Sequence, residues 1–195
     1  GTVVFPKEPL VTVRAPIMEA QLMETMILIS VNHQSLIATK TNRIVRAANG
    51  RPVMEFGSRR AQGADGAVLG ARASYIAGAA GTANTLADSL FGSPALGTMA
   101  HSMIMLYNSE YEAFKAFART YPDNCTLLVD TYDTLRQGIP NAIRVFDEIL
   151  KPIGKRPKGI RIDSGDIAYL SKEARKLLDE AGYPDCGIVA SNSLD

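Results

Sequence analysis

Apolar residues recur along the chain in two rhythms, and the change from one to the other falls near residue 50. Over residues 18–31, Leu22, Met26 and Ile29 lie three and four apart, which predicts a helix beginning just after Pro16. Asn32-His33 interrupts that pattern, and a second helix is predicted over residues 35–48, closed by Asn49-Gly50. Ahead of both, residues 2–5 and 10–14 are short β-type runs separated by Pro6 and Pro9, the pattern of a small antiparallel unit. Beyond Gly50 the order becomes strand, loop, helix. Strands are predicted at residues 53–56, 96–97, 126–130, 159–163 and 188–191. The intervening helices are an Ala-rich run over 64–87, a run from Met103 through Tyr111, Phe114 and Phe117, and residues 140–150 and 168–181.

Strand starts about 25 to 45 residues apart match the βα repeat of a parallel sheet or barrel, and the pattern alone does not separate the two. The chain reads as starting and stopping within structure, so the expectation is a fragment. Residues 1–16 would be the remnant of a β-rich N-terminal domain and residues 17–50 a helical connection. Residues 51–195 would be an incomplete α/β barrel.

Composition narrows the function classes. A length of 195 residues with 46% hydrophobic content suits one domain or one and a half. Net charge is +1 with the basic residues dispersed, which gives neither a nucleic-acid stripe nor a polybasic membrane patch. Cys125 and Cys186 stand apart with no CxxC spacing, arguing for a reducing compartment and against structural zinc. The Ala- and Gly-rich run over 64–87 carries Asp65 and Arg72, so it is read as a packed helix rather than a membrane span. The opening residues read as a strand entering a turn, with no signal peptide.

Polar and small residues cluster at one end of every predicted strand. In order they are Phe56, Gly57, Arg59 and Arg60; Thr98, His101 and Ser102; Asp130, Tyr132, Asp133 and Arg136; Arg161, Asp163, Ser164 and Asp166; and Ser191, Asn192 and Asp195. A parallel fold gathers those ends around one mouth. One imidazole, several guanidinium groups, carboxylates, hydroxyls and close glycine backbones suit an anionic substrate with phosphates and ribose hydroxyls, with Mg2+ bridging phosphate and carboxylate. Acyl transfer is disfavoured because no Ser is paired with a second His, and dinucleotide redox chemistry because no GxGxxG follows a strand. Each residue also has an ordinary explanation: Arg59-Arg60 as surface charge, Asp166 as a helix cap, Phe56 as a core aromatic, His101 as a capping or packing residue. Five such clusters at successive strand ends weigh against all of those at once.

Four of these stretches resemble the successive motifs of nicotinate phosphoribosyltransferases. They are Glu55-Phe56-Gly57-Ser58-Arg59-Arg60-Ala61-Gln62-Gly63, Gly97-Thr98-Met99-Ala100-His101-Ser102, Val129-Asp130-Thr131-Tyr132-Asp133-Thr134 and Arg161-Ile162-Asp163-Ser164-Gly165-Asp166. Phe5-Pro6-Lys7-Glu8-Pro9-Leu10 and Glu19-Ala20-Gln21-Leu22 look like that family's lead-in. The resemblance implies formation of nicotinate mononucleotide and pyrophosphate from nicotinate and phosphoribosyl pyrophosphate, coupled to ATP hydrolysis, in NAD biosynthesis. It implies that His101 is the transiently phosphorylated histidine and Asp130 the carboxylate that orients it. It also implies that Phe56 stacks on the pyridine ring and that Thr98, Ser102 and Arg161 line the nicotinate and phosphate region. Arg59 would meet phosphate, and Asp163 and Asn192 would stand at ribose-hydroxyl and Mg2+-side positions. No residue is assigned as a dedicated metal ligand. Mg2+, ATP as co-substrate, a cytoplasmic homodimer with shared active sites, and no nucleic-acid or membrane partner complete the expectation.

Related nicotinamide enzymes resemble the chain around Gly81-Thr82 but follow it with an acidic residue, where Ala83 stands here. An acid there would repel a carboxylate substrate, so Ala83 favours nicotinate. The segments expected on either side of the chain would supply a partner-reaching aromatic and the loops for the ribose 5-phosphate, so this polypeptide alone is expected to be inactive. Two alternatives stay open at this point: a nicotinamide-specific phosphoribosyltransferase, and a non-catalytic α/β module that binds nucleotides or phosphosugars.

Overall fold

The computed structural model describes residues 1–192 and 194, and divides into two compact units, Gly1–Gly97 and Thr98–Asp195. It is a mixed α/β structure whose strands all pair in parallel.

The first unit is led by helix α1, Ile17–Ala47. Where two helices were expected, one runs through Asn32-His33 without a break. Neither residue is a helix breaker in the way Pro or Gly is, and each costs only tenths of a kcal/mol, roughly. The contacts with helix α2, Ala64–Ile76, also favour continuity. Gly66 and Gly70 face this middle part of α1: a Cβ on Gly70 would stand 3.1 Å from Ile37, and one on Gly66 3.8 Å from His33. One turn further on, buried Thr41 and Ser74 hydroxyls lie 3.1 Å apart. The small residues that made 64–87 look like one long helix thus serve close packing, and the helix itself ends at Ile76. Strand β2, Gly81–Thr82, follows and pairs with strand β1, Met54–Glu55. Helix α3, Thr85–Phe91, is capped by Asn84, whose side chain accepts the Ala87 N–H at 3.0 Å. The strand expected at 96–97 is reduced to a single bridge between Ala95 and Thr82.

Residues 2–5 and 10–14, expected as β-runs, form no strand. Strand geometry holds only when ladder bonds satisfy its backbone groups, and Pro6 and Pro9 remove donors beside these runs.

The second unit is a three-stranded parallel sheet covered by helices. Strand β3 is Thr126–Leu128, β4 is Gly159–Ile162 and β5 is Gly187–Ala190, in register through Leu127, Ile160 and Ile188. Strand β4 is central in the order β3-β4-β5, and all three residues of β3 beside it are buried, as in a parallel strand covered on both faces. The apolar run after His101 is not one helix. A short helix α4, His101–Met105, stops, and α5, Glu110–Thr120, starts afresh on Ser109, whose hydroxyl accepts the Glu112 N–H at 3.3 Å. The helix expected over 140–150 begins earlier and is wound unevenly. A wide π turn over Thr134–Gly138 leads into α6, Ile139–Val145, and a second over Phe146–Leu150 follows. Gly138 permits its approach to the sheet, since a Cβ there would fall 1.8 Å from the Val129 carbonyl oxygen. Helix α7, Ile167–Glu180, starts on Asp166, which accepts the Tyr169 N–H at 2.9 Å and is the cap that its position suggested.

The core of this unit joins Phe114, Leu127, Val129, Ile139, Phe146, Leu150, Ile160, Ile162 and Leu178, all inaccessible to solvent. It grips the strands and leaves their carboxyl-terminal ends to carry polar residues.

Candidate active site

Three parallel strands end side by side, and each end carries a polar group. Asp130 follows β3, Arg161 and Asp163 stand at the end of β4, and Ser191 follows β5. The ladder continues past the strands and fixes their relative heights, with Val129 N–H bonded to Arg161 O at 3.1 Å and Ser191 N–H to Ile162 O at 3.0 Å. His101, the first residue of α4, reaches the same place.

Arg161 is the hub. Its Nε donates to Ser191 Oγ at 2.8 Å, Nη1 to Thr98 Oγ1 at 2.9 Å and Nη2 to Asp163 Oδ1 at 2.8 Å. Asp163 Oδ1 also accepts the Ser191 hydroxyl, and its Oδ2 lies 3.4 Å from His101 Nε2. Asp130 is almost fully buried; its Oδ2 accepts the Asp163 N–H at 3.0 Å and the Ser164 hydroxyl. Its other oxygen, Oδ1, is buried without a hydrogen bond and sits 4.0 Å from His101 Nε2. On the far side of the imidazole, Nδ1 is 3.1 Å from Thr131 Oγ1.

The electrostatics follow from this arrangement. Burial pushes the Asp163 carboxyl up, but hydrogen bonds from Ser191 and Arg161, the guanidinium charge and the His101 contact outweigh it and hold the group below its ordinary range. Asp163 is therefore an anion at neutral pH. Glu110, buried at the start of α5, is pushed the other way, by burial and by the Asp130 charge against a hydrogen bond from Asn141. The partly exposed imidazole has carboxylate oxygens 3.4 and 4.0 Å from Nε2 and a hydroxyl oxygen 3.1 Å from Nδ1. The carboxylates favour the proton on Nε2, which leaves the Nδ1 lone pair to accept from Thr131.

Of the residues singled out from sequence, Thr98, His101, Asp130, Arg161 and Asp163 are brought into one bonded cluster. The nearest carboxylate oxygen to His101 belongs to Asp163, not to Asp130. Ser102 is exposed on α4, and Asn192 is exposed with a backbone φ of 85° directly after Ser191. Asp133 and Asp166 cap helical turns, through the N–H groups of Arg136 and Tyr169. Asp195 lies outside the described residues. Three further hydroxyls join the cluster: Ser164 and Ser191, named at the strand ends but given no role, and Thr131, which was not named there. Each is a hydroxyl at a strand end beside a charged residue or the strand's last apolar one, and that adjacency was the available signal. Phe56 and Arg59 belong to the first unit. Phe56 is half-buried directly after β1, and Arg59 is exposed in a tight turn over Ser58–Arg60.

Among the described residues no group of three or more His, Cys, Asp or Glu forms a metal-holding set, and no helix is long and apolar enough to cross a membrane.

No protein-family model matches the chain. Over its whole length it is 52% identical to the nicotinate phosphoribosyltransferase of Bacillus subtilis, of which it covers 39%. It is also 52% identical to the nicotinate phosphoribosyltransferase pncB2 of Mycobacterium tuberculosis, covering 41% of that protein. The chain thus spans about two-fifths of the length of these relatives. The crystal structure of human nicotinic acid phosphoribosyltransferase superposes on 98% of the chain with a TM-score of 0.88 and 29% identity, and the chain covers 49% of that structure. The resemblance to the nicotinate phosphoribosyltransferase family extends through the entire chain.

Proposed function

We propose that this chain is a segment of a nicotinate phosphoribosyltransferase, which joins nicotinate to phosphoribosyl pyrophosphate and couples that step to ATP hydrolysis. In the glycosyl transfer the pyridine nitrogen forms a bond to the anomeric carbon of the ribose as the bond to pyrophosphate breaks, giving nicotinate mononucleotide and pyrophosphate. The observation that carries the reading is the environment of His101, with Asp163 and Asp130 at Nε2 and a hydroxyl at Nδ1.

That environment suits transient phosphorylation. With its proton held on Nε2 by the carboxylates, the imidazole offers the Nδ1 lone pair to the γ-phosphorus of ATP; an N–P bond forms as the bond to ADP breaks. The ring gains positive charge in this step, and Asp163 and Asp130 stabilise it as an anion stabilises the imidazolium of a catalytic His–Asp pair. Thr131 must then turn its hydroxyl away from Nδ1. Hydrolysis of the phosphohistidine returns the neutral ring and removes two negative charges from the phosphate region, which gives ATP hydrolysis a way to alter substrate and pyrophosphate affinity.

In this reading Arg161 and Thr98 would donate to an anionic substrate, Ser102 would line the nicotinate and phosphate region, Arg59 would meet phosphate and Phe56 would stack on the pyridine. Asn192 would reach the ribose hydroxyls. Mg2+ is held in such sites by one or two carboxylates together with substrate phosphates, and the unpartnered Asp130 Oδ1 and the Asp163 carboxylate are hard oxygen donors of that kind. The ion's contribution when bound is to neutralise phosphate charge. Ala83, exposed after β2 with its N–H on the Glu55 carbonyl at 2.9 Å, supports nicotinate over its amide, because nothing at that side chain repels a carboxylate. The same reading makes the whole protein a cytoplasmic homodimer. It takes residues 51–195 as part of an irregular (β/α) barrel, residues 17–50 as a helical connection and residues 1–16 as part of a β-rich domain.

The test is product formation by the full-length protein with phosphoribosyl pyrophosphate, Mg-ATP and either nicotinate or nicotinamide, beside His101→Ala. Nicotinate mononucleotide formation that loses its ATP stimulation in the variant is the expected result. Turnover of the amide alone refutes the substrate assignment, and full ATP stimulation without the imidazole refutes the role of His101.

A further inference from the structure

The loop that carries Phe56 and Arg59 is tied to the loop that carries Ala83 through the carboxylate of Glu55, which stands opposite Thr82 in the β1–β2 ladder. Glu55 ends β1. Its Oε1 accepts the N–H of Gly57, two residues on, and its Oε2 accepts the Thr82 hydroxyl at 2.6 Å. Thr82 is fully buried, and its oxygen in turn accepts the N–H of Asn84 at 3.0 Å. Asn84 then donates through its side-chain nitrogen to Ser58 Oγ at 3.3 Å while its oxygen caps α3. The direction of every hydrogen is fixed. A carboxylate only accepts, so the single Thr82 hydroxyl proton points at Glu55 and its lone pair is left for Asn84. The chain of bonds starts in the 56–58 loop, crosses to the 82–84 loop and returns.

The Glu55–Thr82 bond is a cross-strand pair that steadies the two-residue strands, and the second oxygen of Glu55 extends the restraint to Gly57 beyond them. The side-chain bonds restrain the residues immediately beyond that ladder: Phe56-Gly57-Ser58 on one strand and Ala83-Asn84 on the other. We propose that Glu55 is a positioning residue for recognition of the pyridine acid. It holds the loop of Phe56 and Arg59 in fixed register with Ala83, and so sets both affinity for the aromatic acid and preference for acid over amide without touching the substrate. This inference rests on the functional reading above.

Glu55→Gln and Thr82→Val test it in the full-length protein. A glutamine offers one acceptor and one donor where two donors converge, so one bond is lost or the Thr82 hydroxyl must reverse to accept and leave its own buried proton without the carboxylate. Loss of one charge-assisted hydrogen bond to the loop predicts a rise in the nicotinate KM of roughly tenfold. The KM for phosphoribosyl pyrophosphate and the ATP stimulation should hold within about twofold, and the acid-to-amide ratio should fall. Thr82→Val should act in the same direction. The double variant should be little worse than the more damaging single one, because both interrupt the same chain of bonds. Three outcomes overturn the proposal: an unchanged nicotinate KM in Glu55→Gln, an equal rise in both substrates' KM, or a lower Tm with intact kinetics. A wild-type protein that turns over no nicotinate overturns the functional reading and this one with it. Turnover with an indifferent Glu55→Gln variant overturns this one alone.

Discussion

Replacing Arg161 by methionine keeps most of the stem's volume and removes the hub of the cluster. Three donated bonds disappear, to Ser191 at 2.8 Å, Thr98 at 2.9 Å and Asp163 at 2.8 Å. One of them is half of an ion pair in which both side chains are largely buried, at 14% and 18% exposure. Hydrogen bonds to charged groups contribute about 1.5–3 kcal/mol each but do not add. Breaking a buried ion pair costs about 3–5 kcal/mol because a charge is left behind. Asp163 keeps the Ser191 hydroxyl and some water, so the expected loss for the second unit is about 2–4 kcal/mol at neutral pH. The loss should also depend on pH, with a definite sign. Asp163 has a depressed folded-state pKa, largely through Ser191 and Arg161, against the opposing effect of burial. Its contribution is fully present above the unfolded value, near 3.8, and disappears as pH falls through the lower folded value. The gap in stability between wild type and Arg161→Met should therefore be widest near pH 7 and narrow below about pH 4. Urea unfolding at several pH values reads it. A gap under about 0.5 kcal/mol at pH 7, or one constant down to pH 3, refutes the assignment of Arg161 as the group that holds Asp163 ionised.

Gly138→Ala would place a methyl 1.8 Å from the Val129 carbonyl, backbone against backbone, and should cost about 3 kcal/mol or more in thermal unfolding; a loss under about 1 kcal/mol would mean the π turn slides freely. Phe146→Ala empties one of the two largest fully buried side chains in the core and should cost about 3–5 kcal/mol, with a native-like Tm as the contrary result. Asp166→Ala should lose about 1 kcal/mol, whereas Asp166→Asn should stay near wild type; equal losses would show that charge rather than capping matters there.

The strands of the second unit were legible from sequence because a buried parallel strand is a continuous apolar run with polar punctuation at its exit. Val129 and Asp130, then Ile162 and Asp163, mark those exits in the sequence as they do in space. The first unit was harder for two opposite reasons. Polar Asn32-His33 looked like an end to α1, yet a helix breaks on geometry, and the glycines of α2 draw its partner close along this stretch. The Ala-rich run looked like one helix, yet it conceals β2. Gly81 is there because a Cβ would meet the Pro94 oxygen at 2.5 Å, a contact made 13 residues later that no local window registers.

The site divides along the same line. Charged residues such as His101, Asp130, Arg161 and Asp163 announce themselves, because they recur at the ends of successive predicted strands. Hydroxyls do so less clearly: Ser164 and Ser191 stood at the named strand ends without a role and Thr131 was passed over, since any loop could use such residues. Yet these hydroxyls decide what the charged groups can do. Ser164 and the Asp163 N–H occupy one oxygen of Asp130, so the other faces the imidazole with no competing bond. Ser191 and Arg161 both occupy Asp163 Oδ1, which leaves Oδ2 as the atom nearest to Nε2. With both carboxylates turned to one nitrogen, Thr131 is left with the other. Which carboxylate oxygen faces Nε2, and which imidazole nitrogen is left to a hydroxyl, thus depends on Thr131, Ser164 and Ser191 as well as on the charged groups they bond.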